Sequence, residues 1–264
     1  MTTPFVDIHC HLLPGIDDGA KDWSESVAMA RLAAEDGATT VVATPHQLGS
    51  FSQVQGDDVR QRTAELNERL LSEHIPLTVL PGAEIRIEPE LLDRLAGGEL
   101  LSLGDHQRHV LLELPHQLYL PIESLLSELA ARRVTVVLAH PERNEGILRR
   151  PELLGHLVDA GCLMQITAGS LCGTLGSHVC EMSEWMLAEG LVHVVATDAH
   201  NPRSRRPLLG RAYERLCALA DAQTAHDLCC RHPARIAAGR AVTPGRRSTP
   251  HRRRNRWWSW RATG

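Results

Sequence analysis

His9 and His11 stand in the run Asp7-Ile-His9-Cys-His11, which closes a short apolar stretch of Phe5, Val6 and Ile8. In an extended strand residues i and i+2 share a face, so both imidazoles can reach one metal ion side by side. Imidazole is a common ligand of divalent transition metals. The segment Pro14-Gly-Ile-Asp17-Asp18-Gly19 brings carboxylates, of which Asp18 is the candidate donor.

The same arrangement recurs along the chain. His46 follows the apolar run that ends at Ala43, and Glu84 follows the run that ends at Leu80. Glu113 closes Val110-Leu-Leu, His140 follows Val136-Val-Leu-Ala, and Asp198 and His200 follow Val194-Val-Ala. A buried strand end is a costly place for an unpaired carboxylate, and metal ions would neutralise these charges. The set is all nitrogen and oxygen, because Cys10 faces away from its two histidine neighbours. Such donors suit Mn, Fe, Zn or Co and argue against a structural thiolate zinc site. Their number exceeds what one ion needs, so two or three ions are expected. Closely spaced ions hydrolyse phosphoesters or amides by activating a water and clamping the displaced oxygens. Arg143, on the loop that carries His140, and Arg205, just past His200, favour phosphate, because a guanidinium fork matches phosphoryl oxygens. Arg203 and Arg206 compete with Arg205 for that role.

These residues need parallel strands to gather their ends. The β-branched apolar runs predict strands at Phe5–Ile8, Thr39–Ala43, Leu77–Leu80, His109–Leu114, Val134–Ala139, Cys162–Thr167 and His193–Ala196. Amphipathic stretches between them predict helices at Ser24–Asp36, Asp57–Glu73, Pro121–Arg132, Glu152–Asp159 and Val179–Glu189. Such alternation implies βα units and a barrel of TIM type, distorted and about one unit short of eight, with its chemistry at the C-terminal strand ends.

Bulk properties narrow the function. The chain has 264 residues, 43% hydrophobic and 23% charged, with a net charge of −4. That fits a soluble globular enzyme and not a specific nucleic-acid binder. The N-terminal residues lack the basic and apolar regions of a secretion signal, and no apolar run is long enough for a bilayer. The seven cysteines are scattered and odd in number, which predicts reduced thiols and a cytoplasmic location. Residues 1–241 read as one barrel. Residues 242–264 read as a disordered tail, rich in Arg and holding three of the five tryptophans. Such a tail could touch an acidic partner or the inner face of a membrane, which would make the protein peripheral there.

Taken together, the motifs resemble the PHP (polymerase and histidinol phosphatase) superfamily. Within it, the chain is similar to the bacterial capsule and exopolysaccharide tyrosine-protein phosphatases. The matching segments are Asp7 to Gly19, Ala43-Thr-Pro-His46, Gly82-Ala-Glu84-Ile, Leu138-Ala-His-Pro-Glu-Arg-Asn144, Thr167-Ala-Gly-Ser-Leu171 and Thr197-Asp-Ala-His-Asn201. The resemblance covers the chain from Val6 to about Gly239. It implies a distorted (β/α)7 barrel with a trinuclear, usually Mn-dependent site. By position the ligands would be His9, His11, Asp18, His46, Glu84, Glu113, His140, Asp198 and His200, with Glu84 bridging. Arg143 and Arg205 would hold the phosphate, and His46 or His200 would be the candidate proton donors. The activity implied is hydrolysis of phosphotyrosine by a metal-bound hydroxide, on a cognate tyrosine kinase of polysaccharide export. Gln47 departs from the family pattern, where many relatives carry another His or an aromatic residue.

Four other readings share parts of this evidence. A small-molecule phosphoesterase such as histidinol phosphatase would use the same metal ligands. An amidohydrolase also opens with H-x-H, but many bridge two ions through a barrel lysine, and the only lysine here is Lys21, outside any strand. A non-catalytic metal-binding subunit of a capsule assembly would be expected to have lost ligands, and none is lost. Cys229 and Arg235 satisfy the C-x5-R spacing of cysteine tyrosine phosphatases. The residues between them are not Gly-rich, and Thr224–Arg231 reads as a helix leading into a Pro-capped one.

Overall fold

The computed structural model describes residues 4–246. All strand pairings are parallel. One sheet has the order β1-β2-β4, from Phe5–Cys10 (β1), Ala38–Ala43 (β2) and Thr78–Pro81 (β4). The other has the order β3-β5-β6-β7-β8-β9, from His46–Gln47 (β3), Glu84–Arg86 (β5), His109–Glu113 (β6), Thr135–Ala139 (β7), Leu163–Thr167 (β8) and Val194–Ala196 (β9).

Each of the seven expected strands is present, and two continue after an interruption as β3 and β5. Pro45 lacks an N–H for a continuous ladder, so β2 stops at Ala43 and pairing resumes at His46. At Gly82, between β4 and β5, an added Cβ would lie 2.6 Å from Val42 Cγ1. Glycine lets the backbone pass there. The two short continuations pair His46 with Glu84 and Gln47 with Ile85. The breaks therefore aim two candidate donors at one spot.

Helices connect the strands. They are Trp23–Glu35 (α1), Gly56–Ser72 (α2), Leu91–Ala96 (α3), Glu123–Ala131 (α4), Glu145–Arg149 (α5), Leu153–Asp159 (α6), Ala168–Leu171 (α7), Ser177–Ala188 (α8), Gly210–Leu219 (α9), Ala222–His226 (α10) and His232–Ala237 (α11). The expected helices correspond to α1, α2, α4, α6 and α8. Asp22 caps α1 by accepting from the Glu25 N–H at 2.9 Å. In α2 the buried Val59, Thr63, Leu66 and Leu70 repeat at helical spacing and face the sheet side. The short α3, α5 and α7 span under two turns, too little for a periodic signal. Thr224–Arg231 is helical as expected, but a π-helical segment at Asp227–Arg231 joins α10 to α11.

The strands are buried because helices cover them; all six residues of β1 are buried. A large apolar cluster lies between strands and helices. A second cluster joins Val6, Ile8, Val42, Leu111, Val137, Leu163 and Val194, side chains from both sheets. First and last strands are tied at their C-terminal ends. His11 N–H donates to the Ala199 carbonyl at 2.8 Å, and Asp198 N–H donates to the His9 carbonyl at 2.7 Å.

The expected tail begins too early. Val242 is buried in the second cluster, and the Gly245 carbonyl lies 3.0 Å from His193 Nε2. These two contacts keep the chain against the fold as far as Gly245, and Arg246 is exposed. Residues 247–264 of that tail lie outside the described residues.

Candidate metal centre

The nine candidate donors converge at the C-terminal strand ends. Each offers one donor atom within 4.8 Å of the others in one of three groups: His11, Asp18, His46 and His200; His9, His11, Glu84 and Asp198; and Glu84, Glu113 and His140. His11 belongs to the first two groups and Glu84 to the last two, so the groups form one continuous row.

Local structure explains the aim of each side chain. His9 and His11 leave β1 on one face, with their Nε2 atoms 3.3 Å apart. The Asp17–Asp18 turn folds back over His11, and Gly19 allows this. An added Cβ at Gly19 would lie 2.2 Å from the His11 carbonyl oxygen. His140 and Asp198 take left-handed backbone, with φ of 32° and 51°. Non-glycine residues rarely adopt it, and of the seven that do so among the described residues these two fall where a strand end turns a donor inward.

Supporting bonds fix the ring orientations. His9 Nδ1 lies 2.9 Å from Gln165 Oε1, and His11 Nδ1 lies 2.7 Å from Asp17 Oδ2. Each ring that donates from Nδ1 presents a bare Nε2 to the centre. Two bare nitrogens 3.3 Å apart repel unless a proton or a metal cation lies between them. Glu84 Oε2 carries the same signature. It is buried without a hydrogen bond, yet lies 3.2 Å from His9 Nε2, 3.3 Å from His11 Nε2 and 3.2 Å from His46 Nδ1. Nitrogen donors around an orphaned carboxylate oxygen fit divalent cations.

Burial works against protonation of His9 and His11, but Glu84 and Asp198 raise His9, and Asp17 raises His11 well above the ordinary imidazole value, so a proton competes with a metal cation at these rings. Burial opposes ionisation of Glu84 and Asp198, but the surrounding histidines hold both carboxyls well below the usual range. Burial, and next the charge of Glu84, pushes Glu113 up to about 7. Burial lowers His140 to about 4, which leaves it a neutral donor at neutral pH. A hydrogen bond with His200 lowers the half-exposed Asp18 below its ordinary value.

The arginines divide cleanly. Arg143 Nη1 makes a short ion pair with Asp198 Oδ2, and Arg205 Nη2 lies 2.6 Å from the same oxygen. Their side chains are 20% and 34% exposed, at the border between the donor row and solvent. Arg203 and Arg206 are exposed and make no such contact. Cys229 is fully buried, with burial pushing its thiol well up, while Arg235 donates to the Ala241 carbonyl at 2.8 Å. These two residues form no phosphate cradle.

Several site residues escape the motif reading. Gln165 is the contribution of β8, the one expected strand without a His or carboxylate; a polar residue in a buried strand was its only signal. Asp17 looks interchangeable with Asp18 in sequence, but it turns inward to His11 while Asp18 faces the first group. Arg86 shares a strand face with Glu84 by two-residue spacing and lies 3.7 Å from Glu113 Oε2. His116 stacks on His140, with centroids 5.9 Å apart. Glu142 is fully buried, and its Oε1 accepts from Thr167 N–H at 2.9 Å and Ser170 Oγ at 2.7 Å.

Residues 5–238 match the family model described as capsular polysaccharide synthesis, CpsB/CapC. The chain is 44% identical over 202 residues to the tyrosine-protein phosphatase YwqE of Bacillus subtilis, covering 76% of this chain and 79% of that one. It is 32% identical over 209 residues to the putative tyrosine-protein phosphatase CapC of Staphylococcus aureus, covering 79% and 82%. A crystal structure from work on YwqE of Bacillus subtilis and CpsB of Streptococcus pneumoniae, described as metal-dependent tyrosine phosphatases, superposes with a TM-score of 0.86 at 37% identity. That match covers 92% of this chain and 99% of the other. The lactonase Lmo2620 of Listeria monocytogenes, with a TM-score of 0.57 at 13% identity over 91% of this chain and 96% of its own, shares the fold alone. The matched span takes in every strand and all nine converging donors: the chain belongs to the CpsB/CapC family of capsular polysaccharide synthesis.

Proposed function

We propose that this chain is a metal-dependent protein-tyrosine phosphatase. The observation that carries the reading is the meeting of two arginines on Asp198, directly beside three groups of metal-donor atoms. His9, His11, Asp18, His46, Glu84, Glu113, His140, Asp198 and His200 would hold two or three divalent ions, of which Mn is the first to test and Fe, Co and Zn the alternatives. When bound, such ions supply Lewis acidity toward phosphoryl oxygens and an activated water. Arg143 and Arg205 orient the phosphoryl group and stabilise its growing charge. Gln165 and Asp17 hold the His9 and His11 rings in their donor tautomers. The phenolate of tyrosine is a fair leaving group, so proton donation by His46 or His200 assists without being required.

The strand order and the ties between β1 and β9 support a distorted seven-stranded barrel of the PHP type. We place the catalytic unit from the N-terminus to the segment held by Val242 and Gly245, with the basic Arg/Trp segment following it. A tyrosine kinase of polysaccharide export is the proposed substrate protein. A cytoplasmic site of action fits the seven free cysteines. Among the described residues no helix is long and apolar enough to cross a membrane. The Arg/Trp segment would then serve contact with an acidic partner or the inner membrane face.

The test compares a phosphotyrosine peptide with histidinol phosphate, with Mn, with other divalent metals and with chelator. Metal-dependent release from the peptide, abolished by His140→Ala and sharply reduced by Arg143→Ala, supports the reading. Turnover of histidinol phosphate alone would move the function to small-molecule metabolism. No turnover of either would return the amidohydrolase and binding-protein readings.

A further inference from the structure

The loop after β9 carries more positive charge than one phosphate requires. From Ala199 to Tyr213 there is no acidic residue, while Arg203, Arg205 and Arg206 fall within four positions. Arg205 turns in to Asp198. Arg203 and Arg206 stay exposed, and neither side chain has an ion pair or hydrogen bond among the described residues. Their Cα atoms lie within about 7 Å of the Arg205 Cα by chain geometry.

The loop is held in shape. Asn201 Oδ1 accepts from the N–H groups of Arg203 at 3.0 Å, Ser204 at 2.8 Å and Arg205 at 3.4 Å. The Arg205 carbonyl in turn accepts from His200 N–H at 3.0 Å and Asn201 N–H at 3.2 Å. These bonds fix the backbone on either side of Arg205, the residue that reaches Asp198, so less backbone ordering remains to oppose binding at its exposed neighbours Arg203 and Arg206. At the third donor group Arg86 is 39% exposed and lies 3.7 Å from Glu113 Oε2.

A phosphoryl dianion is matched by Arg143, Arg205 and the donor row with its cations. The exposed charge beyond that, with no acidic residue from Ala199 to Tyr213 to offset it, is complementary to acidic groups elsewhere on a substrate. We propose that Arg203 and Arg206 form a docking surface for carboxylates flanking the phosphorylated tyrosine, so that the enzyme selects phosphopeptides with acidic neighbours. This inference rests on the phosphatase reading and adds the kind of sequence the site prefers. Complementary charge at a rim acts mainly on encounter and selection, which places the effect in kcat/KM.

The experiment measures kcat/KM with Mn for three phosphotyrosine peptides whose flanking positions are Glu, Ala or Lys, and for p-nitrophenyl phosphate. The wild type is expected to prefer the Glu peptide over the Ala peptide by about tenfold at low salt. That preference should shrink at roughly 0.5 M NaCl, where exposed charges are screened. Arg203→Glu combined with Arg206→Glu should shift the preference to the Lys peptide and leave p-nitrophenyl phosphate turnover unchanged. Equal kcat/KM for all three peptides, or a Glu preference that survives the double variant, would overturn the docking surface while leaving the phosphatase intact. The same holds if the double variant alters only binding to phosphatidylserine vesicles. Absence of p-nitrophenyl phosphate turnover by the wild type would instead remove the phosphatase reading and this inference with it.

Discussion

Arg143 and Arg205 end on one oxygen of Asp198, Oδ2, while Oδ1 of the same carboxylate lies 3.4 Å from both His9 Nε2 and His11 Nε2. One side chain thus joins the phosphate-binding arginines to the middle donor group.

This geometry predicts separable losses. Arg143→Ala and Arg205→Ala should each lower kcat/KM by about 10²–10³-fold, the usual cost of losing one preorganised donor to a developing charge. Metal content, read by elemental analysis, should stay at the wild-type level. Arg143→Lys should recover little, because an ammonium cannot reproduce the fork.

Glu84 links two donor groups, so its loss should reach both. Glu84→Gln should remove at least one ion per chain and abolish turnover, as should chelation. Chelation should also lower the melting temperature, since ions bind the folded state preferentially. Glu113 is pushed up to about 7, so protons compete with the cation at the third group. Metal retention should fall as pH drops below about 7, and more gently in Glu113→Gln, which starts from weaker binding. Metal content after dialysis at graded pH checks this.

His109 gives a pH effect away from the donor row. It is buried at the start of β6, and burial, followed by the charges of Arg108 and His106, lowers it to about 4. The unfolded chain therefore binds the extra proton more readily between about 4 and 6.5. Stability from this group rises with pH across that window and is lost as pH falls through it. Urea unfolding of wild type and His109→Leu at several pH values should show the smaller slope in the variant. Equal slopes would contradict the assignment.

Glu142 stands next to Arg143 and ties its loop to the start of α7 through Thr167 and Ser170. Only Oε1 accepts these bonds, and Oε2 is buried without a partner. Glu142→Gln keeps the acceptor and should retain activity. Glu142→Ala should lower kcat/KM by about tenfold or more through misplacement of Arg143, an effect absent when Arg143 is already Ala. A double-mutant cycle reads that coupling.

The residue types that follow each strand, and hence most of the site, can be read from the order of amino acids alone. His9 and His11 are legible because the strand period puts i and i+2 on one face. The β-branched runs ending before His46, Glu84, His140 and Asp198 are legible because parallel strands deliver their C-terminal residues to one end. How those ends meet is visible only in the folded chain. The breaks at Pro45 and Gly82 pair His46 with Glu84, a contact between strands that no local pattern encodes. The choice of Asp17 for His11 and Asp18 for the outer group depends on the close approach at Gly19. Among three arginines in four positions, the one that turns inward is set by the Asn201-pinned loop. Gln165, Arg86 and Glu142 stayed hidden for the same reason. Their roles lie in bonds across the fold, and long-range contacts leave no periodic trace in the chain that makes them.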